Sequence, residues 1–200
     1  MKSKANGGTV MTELSPRERL MTGRSWEEFC DALKGAGQTI LAEGSPQNEL
    51  DRAEGFRYLT RLTRAALEAF VEYADPLAPV LHRPVHETAK IGADNPDNYY
   101  QHATISGAYE YRIRGKRGTI HYLDFGTQSE GVASTGDSQQ GGHLDAADLD
   151  IAPDGSFEIL LSCKEKSGNW LRMTPETNAL IVRQTFLDRE SETPADLVLE

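Results

Sequence analysis

Residues 94–125 read DNPDNYYQHATISGAYEYRIRGKRGTIHYLDF, and the fold class turns on how they are parsed. N-terminal to this stretch apolar side chains recur every three or four positions; within it they recur every second one. Tyr109, Tyr111 and Ile113 alternate with Glu110, Arg112 and Arg114, the period of a strand with one buried face. His102–Ser106 reads as a short strand broken by Gly107. After a turn at residues 115–118, Ile120, Tyr122 and Asp124 alternate with His121, Leu123 and Phe125. Apolar groups on both faces of that segment predict a central strand, joined to the previous one as a hairpin. The opening Asn95-Pro96-Asp97 is turn chemistry, since Asn and Asp side chains bond their own backbone.

Working outward, Ser25-Trp26-Glu27-Glu28 reads as a capping box and predicts a helix from Trp26. Trp26, Phe29, Leu33, Ala36 and Ile40 share one face of it, and Gly44 closes it. Ser45-Pro46 predicts the start of a second helix over about residues 46–74, with Leu59, Leu62, Ala66, Phe70 and Tyr73 as its stripe. The two helices are expected to form an antiparallel hairpin. Asp75-Pro76 stops the second, and residues 76–93 are expected to run as a proline-broken linker over the surface.

C-terminal to Phe125, residues 126–142 are rich in Gly, Ser, Thr and Gln and read as a mobile loop or lid. Asp148–Ile151 and Phe157–Ser162 read as a hairpin through the Pro153-Asp154-Gly155 turn. Ala179–Phe186 is the last predicted strand, with Leu180, Val182 and Phe186 on one face and Ile181 and Arg183 on the other. The expected fold is α+β: a flexible N-terminus with room for a short helix (1–24), a helical hairpin (25–75), the linker (76–93), an antiparallel, jelly-roll-like β-sandwich (94–190), and the start of a further element at 191–200. Leu197-Val198-Leu199-Glu200 reads as the beginning of something helical, as in the front portion of a longer polypeptide.

Composition narrows the function classes. With 200 residues, 38% of them hydrophobic, the chain can bury one sizeable core. A formal charge of −10 opposes a phosphate backbone, so no nucleic-acid partner is expected. The basic run Arg112–Arg117 is short and reads as a solvated turn. No apolar run approaches the roughly 18 residues of a membrane span, and the N-terminus has lysines without an apolar segment after them. Cys30 and Cys163 lack ligand spacing and read as reduced thiols of a cytoplasmic protein, Cys163 being expected buried and inert on its strand.

Two stretches carry a resemblance. The first is DNPDNYYQHATISGAYEYRIRGKRGTIHYLDF (94–125). The second is DGSFEILLSCKEKSGNWLRMTPETNALIVRQTF (154–186), in which a strand precedes Asn169-Trp170-Leu171 and a later strand carries Arg183. Together, over about residues 90–190, they resemble the bacterial domain-of-unknown-function family 1214 and its companion family 1254. Asn98 stands where Thr is usual in that pattern, and Arg172 where Pro commonly follows Asn-Trp-Leu. The resemblance implies a β-sandwich and brings no established reaction.

Among chemistries, a zinc pair at His82 and His86 is opposed by Pro84, which forbids the regular helix their spacing needs. His102 and His121 flank predicted strands but lack a closely spaced His-x-His signature. No nucleophile elbow, dinucleotide loop or phosphate loop is present, so neither metal nor cofactor is expected. Asp97, His102 and His121 are the candidate acid–base residues, and Tyr99, Tyr100, Arg112 and Trp170 the candidate ligand contacts. Asp97, Tyr99 and Tyr100 are expected to face one cavity. Arg183, inside an apolar strand, is expected to meet a carboxylate such as Asp124 or Glu158, or a ligand anion, with the structural ion pair the favoured reading. Two readings stand side by side. One is a sandwich that binds a small, partly apolar organic ligand, as a catabolic enzyme of unspecified reaction. The other is a non-catalytic interaction or homo-oligomerisation domain.

Overall fold

The computed structural model describes residues 14–129 and 140–200. The expected frayed terminus (1–10) and residues 130–139 of the expected lid lie outside the described residues. The rest of that lid is strand, as given below. The chain divides into two compact units, Met1–Leu59 and Thr60–Glu200, and its fold is α+β.

In the first unit, α1 (Pro16–Met21) is started by a capping box at Ser15 and Glu18, with Pro16 at its first turn. The next helix, α2 (Arg24–Ile40), begins two residues before Trp26 and follows Gly23, whose φ is 78°. The expected Ser25 capping box is absent because Gly23 is the N-cap and Ser25 already lies in the first turn, and Glu28 is instead engaged by Arg24 Nε (2.9 Å) and by Arg19. The third helix, α3 (Glu49–Leu67), crosses the division at Leu59 and starts later than Pro46: Asn48 Oδ1 accepts from the Asp51 amide (2.9 Å) and makes the better cap. A π-helical turn, Glu68–Glu72, continues α3 and widens its last turn. Ile40 packs directly on Gly55, where a Cβ would come within 2.8 Å of the Ile40 methyl.

The second unit is built on eight strands: β1 (Asn98–Thr104), β2 (Tyr111–Lys116), β3 (Tyr122–Ser129), β4 (Gln140–Asp145), β5 (Ser156–Ser162), β6 (Trp170–Arg172), β7 (Thr177–Thr185) and β8 (Asp196–Leu199). They form two four-stranded sheets, β1-β7-β3-β4 and β6-β5-β2-β8. Every pairing is antiparallel except β5–β6. Ala103, Leu123, Phe125, Leu180 and Val182 from the first sheet share one buried cluster with Tyr111, Ile113, Ile159, Leu161 and Leu171 from the second. Phe125 meets Phe157 edge-on at 6.1 Å across it. Each such side chain contributes about 1.5–3 kcal/mol by leaving water.

Several expectations are corrected here. The segments 109–114 and 120–125 do not pair as a hairpin: β2 lies between β5 and β8, and β3 between β7 and β4. Gly118, at φ 59°, redirects the chain, the Thr119 and Ile120 amides bond Thr193 O (2.9 and 3.0 Å), and Ile120 turns into the core. Residues 148–151 are not a strand; a 3-10 turn at Ala146–Asp148 precedes an irregular segment held by Asn169 on the Asp150 amide and carbonyl. The turn at residues 153–155 does form, with Gly155 at φ 81° and Asp154 bonding Ser156. Residues 196–199 are strand β8, not helix, because Leu199 alternates inward and the Arg112 and Glu200 backbones exchange bonds. Cys163 is exposed beyond the end of β5 rather than buried on it. Within the expected lid, Gly126–Ser129 belong to β3 and Gln140–Gly142 to β4.

The proline-broken segment is more than a surface crossing. His82 makes a two-way backbone bridge to His102 (2.9 Å each), Leu81 packs on the core and Ala89 is fully buried. The Tyr111 hydroxyl donates to Pro76 O (3.0 Å), tying β2 to the start of this segment. At the opposite edge, buried Thr127 donates to Arg172 O (2.7 Å) and accepts from the Gly142 amide (2.8 Å). That one hydroxyl therefore joins β3, β4 and β6.

Candidate functional site

Strand alternation sends Leu123, Phe125, Leu180 and Val182 inward, so Tyr122, Asp124, Ile181 and Arg183 stand on the outer face of the β1-β7-β3-β4 sheet. Register then fixes rows across that face. One row is Tyr100, Arg183, Asp124 and Asp145; the next is His102, Ile181, Gly126 and His143. The His82 bridge extends the second row beyond the β1 edge.

Asp124 is the centre of this arrangement. It is only 4% exposed although it faces outward, and a buried carboxylate persists only with partners. Two bond it: Arg183 Nη1 lies 3.4 Å from Oδ1 and the Tyr122 hydroxyl donates to Oδ2 at 3.0 Å, while His143 Nε2 stands close by, 3.6 Å from Oδ2. Burial first, then the bond to Asp124 and its charge, push the Tyr122 phenol up to about 12, so it remains a donor. The His143 side chain is 42% exposed, so its imidazole stands between the buried carboxylate and solvent. Closing that gap to hydrogen-bond distance would give the usual orientation device of a proton-transferring histidine.

Along the row from His143 the floor is Gly126 and Ile181, and a Cβ on Gly126 would press within 3.3 Å of the Ile181 methyl. His102 stands three strand spacings from His143, about 14 Å. Its ring meets that of His82 edge-on at 5.5 Å, and His82 in turn meets Tyr73 at 5.2 Å. Burial, with a smaller contribution from His82, lowers the His102 pKa to about 4. His102 is thus neutral near neutral pH. His82 is also lowered by burial, against the opposing pull of Glu68, and its Nε2 is buried without a hydrogen-bond partner. Among the described residues no three His, Cys, Asp or Glu side chains converge as a metal site would require.

Of the residues singled out in the sequence, Tyr100 and His102 lie on this face and the others do not. Tyr99 is on the opposite face of β1, as adjacent strand residues must be, with the Arg83 guanidinium 4.3 Å above its ring. Asp97 is exposed; its amide donates to Asn95 Oδ1 (2.9 Å) and its carbonyl accepts from Phe186, which makes it a turn residue. Asp97, Tyr99 and Tyr100 therefore do not line one cavity. His121 is exposed one residue before β3, level with the far end of β1 and about five residues, or roughly 17 Å, from His102 along the strands. The two histidines share no site. Arg112 and Trp170 lie in one row on the outer face of the other sheet, Arg112 paired with Glu158 (3.4 Å) and the Trp170 indole donating to Ser162 O (3.1 Å). Arg112 also borders a depression of about 360 Å³ with Tyr111, Leu160 and Glu200.

Sequence reasoning missed Tyr122 and His143. The two-residue spacing of Tyr122 and Asp124 was a usable signal for a shared face; His143 was hidden in a stretch whose glycines read as loop. Those glycines are required by packing, since a Cβ at Gly142 would fall 2.4 Å from Arg172 O.

The chain is similar to the crystal structure of an uncharacterized protein from Burkholderia cenocepacia, with 58% identity and a TM-score of 0.85. That match covers 91% of this chain and 51% of the other, so the chain spans about half the length of the Burkholderia protein. The VPA0106 protein from Vibrio parahaemolyticus matches at 12% identity with a TM-score of 0.38, covering 94% of this chain and 47% of that one. No protein-family model matches the chain, and a search of curated proteins finds no match.

Proposed function

We propose that the outer face of the β1-β7-β3-β4 sheet binds a small, partly apolar organic ligand, with His143 on the Asp124 carboxylate as its proton-transferring group. The observation that carries this reading is Asp124 itself: a carboxylate 4% exposed on an outward face, bonded by Arg183 and Tyr122, with His143 3.6 Å away, beside an apolar Ile181–Gly126 floor. Arg183 Nη1 lies 3.4 Å from the carboxylate, Tyr122 donates to it, and neutral His102 borders the other end of the floor. The function is that of a bacterial catabolic enzyme of the family 1214 type, acting in the cytoplasm, where the free thiols Cys30 and Cys163 stay reduced. The same reading takes α2 and α3 as an antiparallel hairpin and the two sheets as a jelly-roll-like sandwich. Among the described residues no helix is long and apolar enough to cross a membrane. A thermal-shift screen against small organic acids, alcohols and aromatics tests the binding claim. A ligand that raises the melting temperature of the wild type, and does so much less for His143→Gln, supports it. A flat response across the panel, or an undiminished one in the variant, rejects it.

A second reading is favoured by the first unit, where Leu20, Met21 and Trp26 are 71%, 76% and 69% exposed. Apolar side chains left in water on amphipathic helices suit a non-catalytic, self-associating domain. Sedimentation of the wild type and of Trp26→Ser/Met21→Ser decides: an oligomer that dissociates in the double variant supports this reading, and a monomer at all concentrations removes it.

A further inference from the structure

We infer that the protein carries a second ligand site, for a small carboxylate, in the cavity of about 320 Å³ between the proline-broken segment and the start of β1. Three permanent cations line it, Arg83, Lys90 and Arg189, against the carboxylates of Glu87 and Asp94. In a chain of formal charge −10 such a local excess of positive charge is unexpected on composition alone.

How the cations are held separates the two arginines from the lysine. Lys90 is committed to Asp94 (3.1 Å), whose side chain is only 10% exposed, so that pair neutralises itself. Arg83 lies with its guanidinium 4.3 Å from the centre of the Tyr99 ring, and Arg189 lies 4.7 Å from the centre of Phe186. A guanidinium over an aromatic face gains from the ring's negative face and keeps its N–H donors for other partners. Arg189 uses one N–H on Pro96 O. Arg83 reaches Glu87 at 3.3 Å, but Glu87 is 79% exposed and weakly bound as a partner. Arg83 Nε is itself shut away from the cavity, so what Arg83 offers there is the rest of a guanidinium that is 33% exposed. A carboxylate is the group whose two oxygens match guanidinium N–H donors. The cavity is at the small end of ligand-site volumes, and Val85 and Pro96 give it a short apolar wall. A planar carboxylate on a short carbon chain therefore fits better than a larger polyanion.

The site is separate from the Asp124 face, so its test does not depend on that reading. The full-length chain is titrated calorimetrically, at low ionic strength, with succinate, with neutral succinamide of the same shape, and with inorganic phosphate. Succinate is expected to bind and succinamide not. Arg83→Gln and Arg189→Gln are each expected to weaken succinate on the order of tenfold. Arg83→Lys, which keeps the charge and loses the fork, should fall well short of wild type. Arg172→Gln, an exposed arginine on the other sheet, should bind as wild type does. Arg189 is itself exposed, so its variant reports even if Arg83→Gln folds poorly. Equal binding of succinate and succinamide, undiminished binding in Arg189→Gln, or binding of phosphate without succinate would each overturn the carboxylate site.

Discussion

His102→Phe tests the physical account of the β1 edge most directly. In the unfolded chain the imidazole takes its proton near 6.5, and in the folded protein burial and His82 hold that value down to about 4. Between these two values the unfolded chain binds more protons than the folded one, so stability falls as pH falls. One pKa unit corresponds to about 1.4 kcal/mol, so the full loss from this group approaches about 3 kcal/mol, with about 2.5 kcal/mol already gone at pH 4.5. Phe keeps a ring edge for His82 and cannot titrate. The assay is urea unfolding of both proteins at about pH 7.5 and about pH 4.5. Groups common to both proteins cancel in the comparison. The wild type is expected to lose about 2–3 kcal/mol more than His102→Phe on acidification, a midpoint difference on the order of 1 M urea. Equal losses in the two proteins would refute the claim that His102 is held neutral by burial.

Other expected outcomes follow from single contacts. Thr127→Val removes the hydroxyl that bridges Arg172 O and the Gly142 amide; it is expected to cost about 1–3 kcal/mol in thermal or urea unfolding, since both partners are left in the interior. Gly118→Ala places a Cβ 2.4 Å from Thr193 O at a φ of 59°, and is expected to lower the melting temperature by several degrees. Gln184→Leu strips a fully buried amide of its bonds with Gln101, Ala195 O and the Ala195 amide; a loss of about 1–3 kcal/mol is expected because three partners lose their bond together. Cys163, exposed beyond β5, is expected to react with a thiol reagent in the native state, readable by mass spectrometry.

Much of the fold was legible in local periodicity. The switch from period 3.6 to period 2 near Tyr99 locates the change from helix to strand, and the alternations through Tyr111–Arg114 and Leu180–Arg183 assign inward and outward faces. Strand pairing was not legible, because it depends on contacts distant in sequence. β2 and β3 are separated by a short turn and look like a hairpin, yet Gly118 and Thr193 send them to different sheets. The Leu197–Glu200 segment looked helical in isolation, but its partner β2 makes it a strand. The candidate site was half visible for the same reason. Arg183 inside an apolar strand demanded a carboxylate, and Asp124 supplies it. His143 reaches that carboxylate only through the β3–β4 register, which no local pattern encodes.

The two outer sheet faces offer an internal comparison that bears on why Asp124 is where it is. On the β6-β5-β2-β8 face, Arg112 and Arg114 pair with Glu158 and Glu200, and the side chains on both sides of each pair are 42–53% exposed. Ion pairs of that kind are screened and worth little, and they keep an outward face soluble. The β1-β7-β3-β4 face does something else with the same residue types. It takes a carboxylate out of water to 4% exposure, satisfies it with an arginine and a tyrosine, and sets a histidine 3.6 Å from it. A well-packed apolar residue at that position would serve stability as well or better, because burying an ion pair costs about as much as it returns. Stability alone therefore accounts for Arg112 and Glu158 but not for Asp124. What the buried carboxylate adds is a negative charge 3.6 Å from the partly exposed His143 imidazole, beside an apolar floor, the arrangement on which the proposed function rests.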